Sequence, residues 1–430
     1  MRVLFHTLGC KVNTCESEEI SENLKKHGYE TVTAGTADCI VINSCTVTGE
    51  SGRKTRQTLR RARRENPDAV IVLTGCLTQA FPDAAEQLPE ADIVIGNRSN
   101  PRIPALIDEF RQTGARIVLT AAHEKDEKFT GVAVSGTVNH TRAFLKIQDG
   151  CNRFCSYCII PYAKGRSRSR SLEEIRTCVA GFAANGYKEA VLVGIDLTDY
   201  GRDLPGGLTL ADAVFAAAAT AGIERVRLGS LEPHNLTDHE IERLAQCEKL
   251  CPQFHISLQS GSNSVLKRMN RRYTAEEYAH IVARLRERFP ACAITTDIIC
   301  GFPGETEAEF AETLAFAEMI RFEKVHIFPY SLREGTRAAK MDGHLAKAKK
   351  DARCARLAKV CEQIRAEILQ AEIGNIYDVL FESIADGYIH GYTPNYFPVR
   401  MPADDALRGS IKKVRLVGVD GDSCMGQLCE

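Results

Sequence analysis

Residues 151–158 read Cys-Asn-Arg-Phe-Cys-Ser-Tyr-Cys, which sets Cys151, Cys155 and Cys158 in a CxxxCxxC spacing. Thiolates are the expected protein ligands of iron–sulfur clusters. Three of them on a four-iron cubane leave one iron without a protein ligand. That open iron can chelate the amino and carboxylate groups of S-adenosylmethionine, and an electron from the cluster then cleaves the sulfonium to a 5′-deoxyadenosyl radical. The radical chemistry belongs to the cofactors, and the chain's part is to position them and exclude water. Zinc is the competing use of the same residues. It needs a fourth ligand at matching spacing, and no nearby His or Cys supplies one. Tyr157, just before the last cysteine, and the place of the run directly after a strand pattern both favour the cluster.

A second trio, Cys10, Cys45 and Cys76, follows three strand patterns in the first hundred residues: Thr7-Leu8-Gly9-Cys10, Asn43-Ser44-Cys45 and Thr74-Gly75-Cys76. Their separations, 35 and 31 positions (10 to 45, 45 to 76), are close to one βα unit of about 30 residues. In a parallel sheet all three emerge at one edge, outside the carboxyl ends of the strands, where such sheets bind ligands. Cysteine is often simply buried, and Cys15 and Cys39 show that this region holds others. Burial does not explain why three share one strand-end position; clustered thiols mark metal sites, here a second cluster with an open iron.

The elements that must position these residues are legible as alternation. Strand patterns at 3–8, 40–44, 70–74 and 93–95 alternate with helical patterns near 16–27, 52–64 and 79–87, which predicts a small open α/β domain with a mostly parallel sheet. The charged, Gly/Thr-rich stretch 121–142 reads as a linker or exposed hairpin. Six longer βα units follow, with strands at 144–148, 191–195, 226–230, 254–259, 294–299 and 325–330, too few for a closed eight-fold barrel but suited to an open, partial (βα)6 one. A helical run at 344–370 ends at Gly374. Short strands at 376–382, 388–392, 399–401, 411–417 and 427–429 then predict a small β-barrel. The expected fold class is therefore α/β, with domains at 1–120, 141–370 and 371–430 and a linker at 121–140.

Composition is that of a globular protein: 430 residues, 44% hydrophobic, 26% charged and a net charge of -1. Binding to a polyanion by global charge is excluded, which leaves local basic patches. The N-terminus lacks the apolar core of a signal peptide and no apolar stretch is long enough to span a bilayer, so a cytoplasmic protein with no membrane partner is expected. Seventeen cysteines, an odd number, do not make a disulfide framework in that compartment.

Several motifs together resemble one family across nearly the whole chain. They are Thr7-Leu8-Gly9-Cys10-Lys11-Val12-Asn13, Asn43-Ser44-Cys45-Thr46-Val47-Thr48, Thr74-Gly75-Cys76, residues 151–162, Ser257-Leu258-Gln259-Ser260-Gly261-Ser262, Thr296-Asp297-Ile298-Ile299 with Gly301-Phe302-Pro303-Gly304-Glu305-Thr306, and Phe328-Pro329-Tyr330-Ser331. The chain resembles the radical S-adenosylmethionine methylthiotransferases, and its opening motif is similar to that of the MtaB-type branch, which modifies N6-threonylcarbamoyladenosine in tRNA. Residues 391–396, Gly-Tyr-Thr-Pro-Asn-Tyr, resemble the TRAM domain, a small RNA-binding barrel. The resemblance implies an auxiliary [4Fe-4S] cluster on Cys10, Cys45 and Cys76, and a radical-generating one on Cys151, Cys155 and Cys158. S-adenosylmethionine then serves as methyl donor and radical source, and the C2 hydrogen of the modified adenosine at position 37 is replaced by a methylthio group. Implied partners are the tRNA anticodon stem-loop, an electron donor such as flavodoxin or ferredoxin, and an iron–sulfur assembly or sulfur donor. The isopentenyladenosine and ribosomal-protein branches share the chemistry and differ after the Gly-Cys; a zinc-dependent RNA-binding protein is the non-enzymatic alternative. Lys164 departs from the family's usual Arg, 194–200 is unusually acidic, and Cys300 replaces an aliphatic residue.

Gly194, Gln259, Asp297 and Glu305 fall at or just beyond barrel strand ends, where polar residues tend to be functional, and are candidate contacts for S-adenosylmethionine or substrate. Arg53, Lys54, Arg56, Arg60, Arg61, Arg63 and Arg64, with Arg166, Arg168, Arg170, Arg268, Arg271 and Arg272, are candidate phosphate contacts, and Tyr273 a stacking ring. In the last module, where acids offset the bases, Tyr392, Tyr396 and Phe397 are the candidate RNA contacts.

Overall fold

The computed structural model describes residues 1–124, 126–132, 134 and 141–429. Six parallel strands, β1 (Arg2–Thr7), β2 (Glu30–Val32), β3 (Cys39–Ser44), β4 (Val70–Gly75), β5 (Ile93–Ile95) and β6 (Ile117–Leu119), lie in the order β2-β1-β3-β4-β5-β6. β3 and β4 are buried along their whole length, which is why they read as continuous apolar runs. The edge strands β2 and β6 have three residues each, too short to show a period in sequence.

Helices cover both faces of this sheet. α1 (Lys11–Lys26) packs Ile20 and Leu24 on Val3 and Val41, while α2 (Gly49–Glu65) packs Leu59 and Ala62 on Ile40 and Ile42 of the other face. Both start earlier than their apolar pattern: α1 begins directly after Cys10, and a Thr48–Ser51 capping box starts α2. The single helix expected over 79–87 is two short ones, α3 (Cys76–Ala80) and α4 (Pro82–Glu86), split where Pro82 has no amide hydrogen to continue the first. α5 (Ile103–Thr113) ends on Gly114, whose φ is 65°.

The barrel strands are β7 (Ala143–Lys146), β10 (Glu189–Val193), β11 (Arg225–Leu228), β12 (Ser230–Leu231), β13 (Gln253–Ile256), β14 (Ala293–Cys300) and β15 (Lys324–Pro329), between which β8 (Gln148–Asp149) and β9 (Arg168–Ser169) form a short antiparallel pair. All the barrel pairings are parallel and sequential, with a Val226–Leu250 bridge joining the two halves, so the sheet is the open (βα)6 wrap that its strand count requires. Leu145, Leu192, Val226, Phe254, Ile256, Ile294 and Ile298 point to the outer helices and form the largest core. The alternate residues point inward, and Phe144, Val191 and Val193 meet Val12 and Cys15 of α1. The N-terminal domain thus closes one side of the lumen.

After the helix Lys347–Ala371, Gly374 turns the chain with φ 97°, and β16 (Ile376–Ala385), β17 (Tyr388–Tyr392), β18 (Pro398–Pro402), β19 (Ile411–Asp420) and β20 (Ser423–Leu428) close into a barrel around Phe381, Val399, Val414 and Leu416. It docks at the amino ends of the (βα)6 strands, where Arg225 donates to the carbonyls of Tyr392 and Asp378 and Arg227 to that of Pro394.

Residues 121–124 and 126–132 carry no helix or strand and form a partly exposed connection pinned by two side chains. His123 is buried between Glu127 and the Ala163 carbonyl, and Phe129 lies under the guanidinium of Arg170. Residues 125, 133 and 135–140 of the expected linker lie outside the described residues. All seventeen cysteines are free. Among the described residues no helix is long and apolar enough to cross a membrane.

Candidate active site at the carboxyl ends of two parallel sheets

Cys10, Cys45 and Cys76 follow β1, β3 and β4, which are neighbours in one parallel sheet, so their side chains meet at its carboxyl edge. Two glycines allow the approach. A Cβ on Gly9 would stand 2.8 Å from that of Cys45, and one on Gly75, held at φ 103°, would overlap the Ser44 main chain at 2.5 Å. Asn13, in the first turn of α1, lies between the thiols. Its amide donates to the carbonyls of Leu8 (2.9 Å) and Ser44 (3.0 Å), and its oxygen accepts from Cys10 (3.7 Å) and Cys76 (3.9 Å). Burial raises the Cys10 and Cys76 thiols above their ordinary pKa, and Lys164 pulls both back.

The second trio is shaped by its loop. Gly150 has φ 73°, and a Cβ there would sit 1.9 Å from the Arg166 carbonyl; Phe154 has φ 51°. Arg271 donates to Cys155 Sγ at 3.2 Å, and the Arg153 amide to Cys151 Sγ at 3.4 Å. Burial, then the neighbouring Cys155, pushes the Cys158 thiol up to about 12, and burial with Asp196 raises Cys151. The two trios are thus sets of three thiols gathered at strand ends, the donor set a cubane needs. Loading a metal on them must release protons.

A short helix ties the trios together. α6 (Ile160–Lys164) begins two residues after Cys158, packs beside α3 and ends at Lys164. The buried Lys164 amine donates to both oxygens of Glu16 at 2.6 Å, next to Cys76 and Cys10. Around it Glu16, Glu19 and Asp149 face Lys146, Lys164, Arg168 and Arg170, three buried acids against four bases. The surplus positive charge suits an anionic occupant of the first trio. Lys164 for Arg thus keeps the cation; its compact amine fits between two carboxylate oxygens.

Glu16 carries no spacing signal and was missed; Asn13 and Arg153 stood inside the resembling motifs without a role, Lys164 was noted only as a departure from the family's Arg, and Arg271 was read as a phosphate contact. Arg153 explains the acidic 194–200 stretch: it donates to Asp196 at 3.0 Å and contacts His234 at 3.2 Å, and Asp199 lies 3.8 Å away. Burial and then Arg153 drive His234 down to about 4, which leaves a neutral ring to accept from the guanidinium.

The strand-end residues divide. Gly194 gives room to Gln148, whose side-chain oxygen accepts from the amides of Ile195 (2.9 Å) and Asp196 (2.8 Å). Gln259 holds φ 71° in a main-chain bridge to β14, where its backbone amide donates to the Asp297 carbonyl at 2.8 Å and its carbonyl accepts from Ile299 at 2.9 Å. Asp297 faces the lumen beside His255. Glu305 turns away from the cleft: its carboxylate accepts from the Gly301 and Phe302 amides and pairs with buried Arg353 at 3.2 Å, so it shapes the loop instead of contacting a ligand.

Several candidate RNA contacts are corrected. Arg168 and Arg170 are buried in the charged joint, Arg271 and Tyr273 lie beneath Cys155, and Arg268 is paired with Glu309. Tyr392 and Tyr396 stack on each other at 4.4 Å under Arg142 and Arg227, and Phe397 is in the small barrel's core. Arg53, Lys54, Arg56, Arg60, Arg61 and Arg64 of α2, with Arg166 and Arg272, remain exposed. α2 starts beside the cleft, where Gly49 and Val47 meet Ser331 and Arg333 of the loop after β15.

A partial barrel with a three-thiol loop after its first strand defines the class, and the sequence matches agree. Residues 145–317 match the Radical SAM superfamily, and residues 2–96 match a family described as uncharacterized, UPF0004. Over 427 residues the chain is 39% identical to the threonylcarbamoyladenosine tRNA methylthiotransferase MtaB of Bacillus subtilis, covering 96% of this chain and 93% of that one. It is 37% identical to the enzyme of the same name from Thermotoga maritima over 92% and 90% of the two chains. It is 35% identical to a tRNA-2-methylthio-N(6)-dimethylallyladenosine synthase of Clostridium botulinum over 98% and 95%. In fold it is similar to the radical S-adenosylmethionine methyltransferase TsrM of Kitasatospora setae, with TM-score 0.58 and 16% identity over 79% of this chain and 77% of that one. The chain belongs to the MtaB-type radical S-adenosylmethionine methylthiotransferases, enzymes that use [4Fe-4S] clusters and S-adenosylmethionine.

Proposed function

We propose that this enzyme transfers a methylthio group to C2 of N6-threonylcarbamoyladenosine at position 37 of tRNA, using two [4Fe-4S] clusters. One observation carries the two-cluster reading: Lys164, six residues after Cys158, places its amine beside Cys76, so the two thiol sets lie on either side of one short helix. Cys151, Cys155 and Cys158 hold the radical-generating cluster, and Cys10, Cys45 and Cys76 the auxiliary one. When bound, the first cluster with S-adenosylmethionine supplies one-electron chemistry at the substrate carbon, and the second supplies sulfur.

The chain's own residues orient and exclude water. Arg271 and Arg153 hold the cysteine loop by their contacts to Cys155 and Cys151 and by Glu232 and Asp196, which lie just after β12 and β10. Gly194, Gln259 and Asp297 border the space left for S-adenosylmethionine and the base, and Glu305 supports the loop between them. The exposed bases of α2 are placed to meet the phosphates of an anticodon stem-loop. An electron donor such as flavodoxin or ferredoxin and a sulfur donor complete the cycle in the cytoplasm.

The choice of nucleoside rests on the higher identity to the MtaB enzymes and on Lys11-Val12-Asn13 after the first cysteine. Mass analysis of tRNA nucleosides from a strain lacking the enzyme tests it. The methylthio derivative of threonylcarbamoyladenosine should disappear; loss of the isopentenyl derivative instead would assign the chain to the other substrate. Anaerobic protein should carry about eight irons, and Cys151→Ala with Cys155→Ala and Cys158→Ala should keep about four and lose all cleavage of S-adenosylmethionine. Retained cleavage, or zinc in place of iron, overturns the reading.

A further inference from the structure

Within the lumen, between the cysteine loop at one end and the small barrel at the other, three adjacent strands bring together His255 of β13, Asp297 of β14 and His326 of β15. One ligand atom from each lies within 4.8 Å of the others. His255 Nε2 is 3.2 Å from Asp297 Oδ2, and the two imidazole rings are 5.7 Å apart, tilted by 47°. Asp297 and His326 are register partners in the parallel sheet, so the backbone itself sets them side by side. Neighbouring Ile294 and Ile298 point the other way, into the core.

The surroundings have the form of a ligand shell. Thr295 Oγ1 meets His255 Nδ1 at 3.0 Å and is itself held by Gln253 at 3.3 Å, which fixes the ring and presents Nε2 to the lumen. Such partners on the far nitrogen are what orient a metal-binding histidine. His326 has no hydrogen bond among the described residues and is open to the lumen. Ligand atoms of a tetrahedral zinc site stand about 3.3 Å apart, given metal–ligand distances of about 2.0–2.1 Å. The His255–Asp297 pair already meets that spacing, and a small rotation of the unrestrained His326 ring completes it.

We propose that His255, Asp297 and His326 bind a divalent cation of the zinc class in the barrel lumen, apart from both cysteine trios. Two imidazoles and one carboxylate leave at least one position for water or a substrate oxygen, as sites that act on ligands do. None of the three residues belongs to a thiol set, and the site stands whichever nucleoside the enzyme modifies.

Zn2+ is the probe. Full-length protein, reconstituted anaerobically so that the thiols are loaded, is dialysed against Zn2+, and zinc and iron are counted together. One zinc per chain is expected beyond an unchanged iron content, with X-ray absorption showing only nitrogen and oxygen ligands at about 2.0–2.1 Å. His326→Ala and Asp297→Asn should each weaken uptake at least ten-fold with iron unchanged. No stoichiometric zinc, equal uptake by both variants, or sulfur ligands near 2.3 Å would overturn the site, the last because the zinc would then sit on cysteine. If Asp297→Asn loses affinity for S-adenosylmethionine and leaves zinc uptake intact, the carboxylate serves the cofactor and the proposal fails.

Discussion

Lys164 shows how much one residue can hold at a joint. Its amine neutralises Glu16 between two domains and faces two thiols of the first trio, with its side chain 1% exposed. Replacing it by Met leaves buried Glu16 with Lys146, at 3.3 Å, as its remaining base, at a cost of about 1–3 kcal/mol. Lys164→Met should therefore lower the urea midpoint sharply, and in protein that folds, iron should fall from about eight toward about four as the first trio releases its cluster. Lys164→Arg, which keeps the charge, should recover most of the iron. The six cysteines of the two trios were legible in sequence because their spacing and strand-end position repeat. The role of Arg271 was not: it acts across the fold, more than a hundred residues from its thiol.

At the scale of elements, turns and caps decide whether strand ends deliver their residues. Gly75 joins β4 to α3 at φ 103°, against the main chain of Ser44. Gly75→Ala must strain that turn and push β3 from β4. It should destabilise by more than about 2 kcal/mol in chemical denaturation, and the loss should extend to the auxiliary cluster, since Cys45 and Cys76 flank the displaced strands. The helix Glu307–Ile320 starts from a Thr306–Glu309 capping box, and Glu309 also pairs with Arg268 at 2.8 Å. The hydrogen bond from Arg268 is the chief cause that lowers the Glu309 carboxyl to about 2. A carboxyl lower in the folded than in the unfolded chain stabilises above its unfolded pKa of about 4.3, and that contribution is lost as pH falls through about 2. Urea midpoints measured from pH 5 downward should fall less steeply in Glu309→Gln. The apolar alternation showed all four central strands of the first sheet and all six barrel strands. It missed β2 and β6, whose three residues are fixed by pairing at an edge and not by a pattern of their own.

The whole molecule is a barrel stopped at both ends. α1 and the cysteine edge of the first sheet lie over the carboxyl end and one side, and the small barrel lies under the amino end. β14, at eight residues, gives that height as about 27 Å. An RNA touching both the cleft and the small barrel must span at least that distance along the side of the protein. Arg227 is the pin of the lower joint: it pairs with Glu189 at 2.6 Å, donates to the Pro394 carbonyl and stacks on Tyr396. Arg227→Ala leaves Glu189 with the more distant Arg225, 3.8 Å away, and frees the Pro394 carbonyl, so hydrogen exchange should rise in β17 and the loop after it while the first sheet stays protected. Unchanged exchange there would show that the small barrel is held by other contacts.

Read alone, the sequence determined the class of chemistry, the fold class and the strand-end position of the two cysteine trios, because spacing and strand-end position are local properties that repeat along the chain. Which charged and aromatic residues face solvent was decided only by the tertiary structure. Arg168, Arg170, Arg271, Tyr273 and Tyr396 have the composition of an RNA surface, yet they lie in joints. A buried acid requires a buried base beside it, and such partners come from distant parts of the chain that no local pattern can pair. The same holds for His255, Asp297 and His326, single residues on three strands that only their shared place in the lumen brings together.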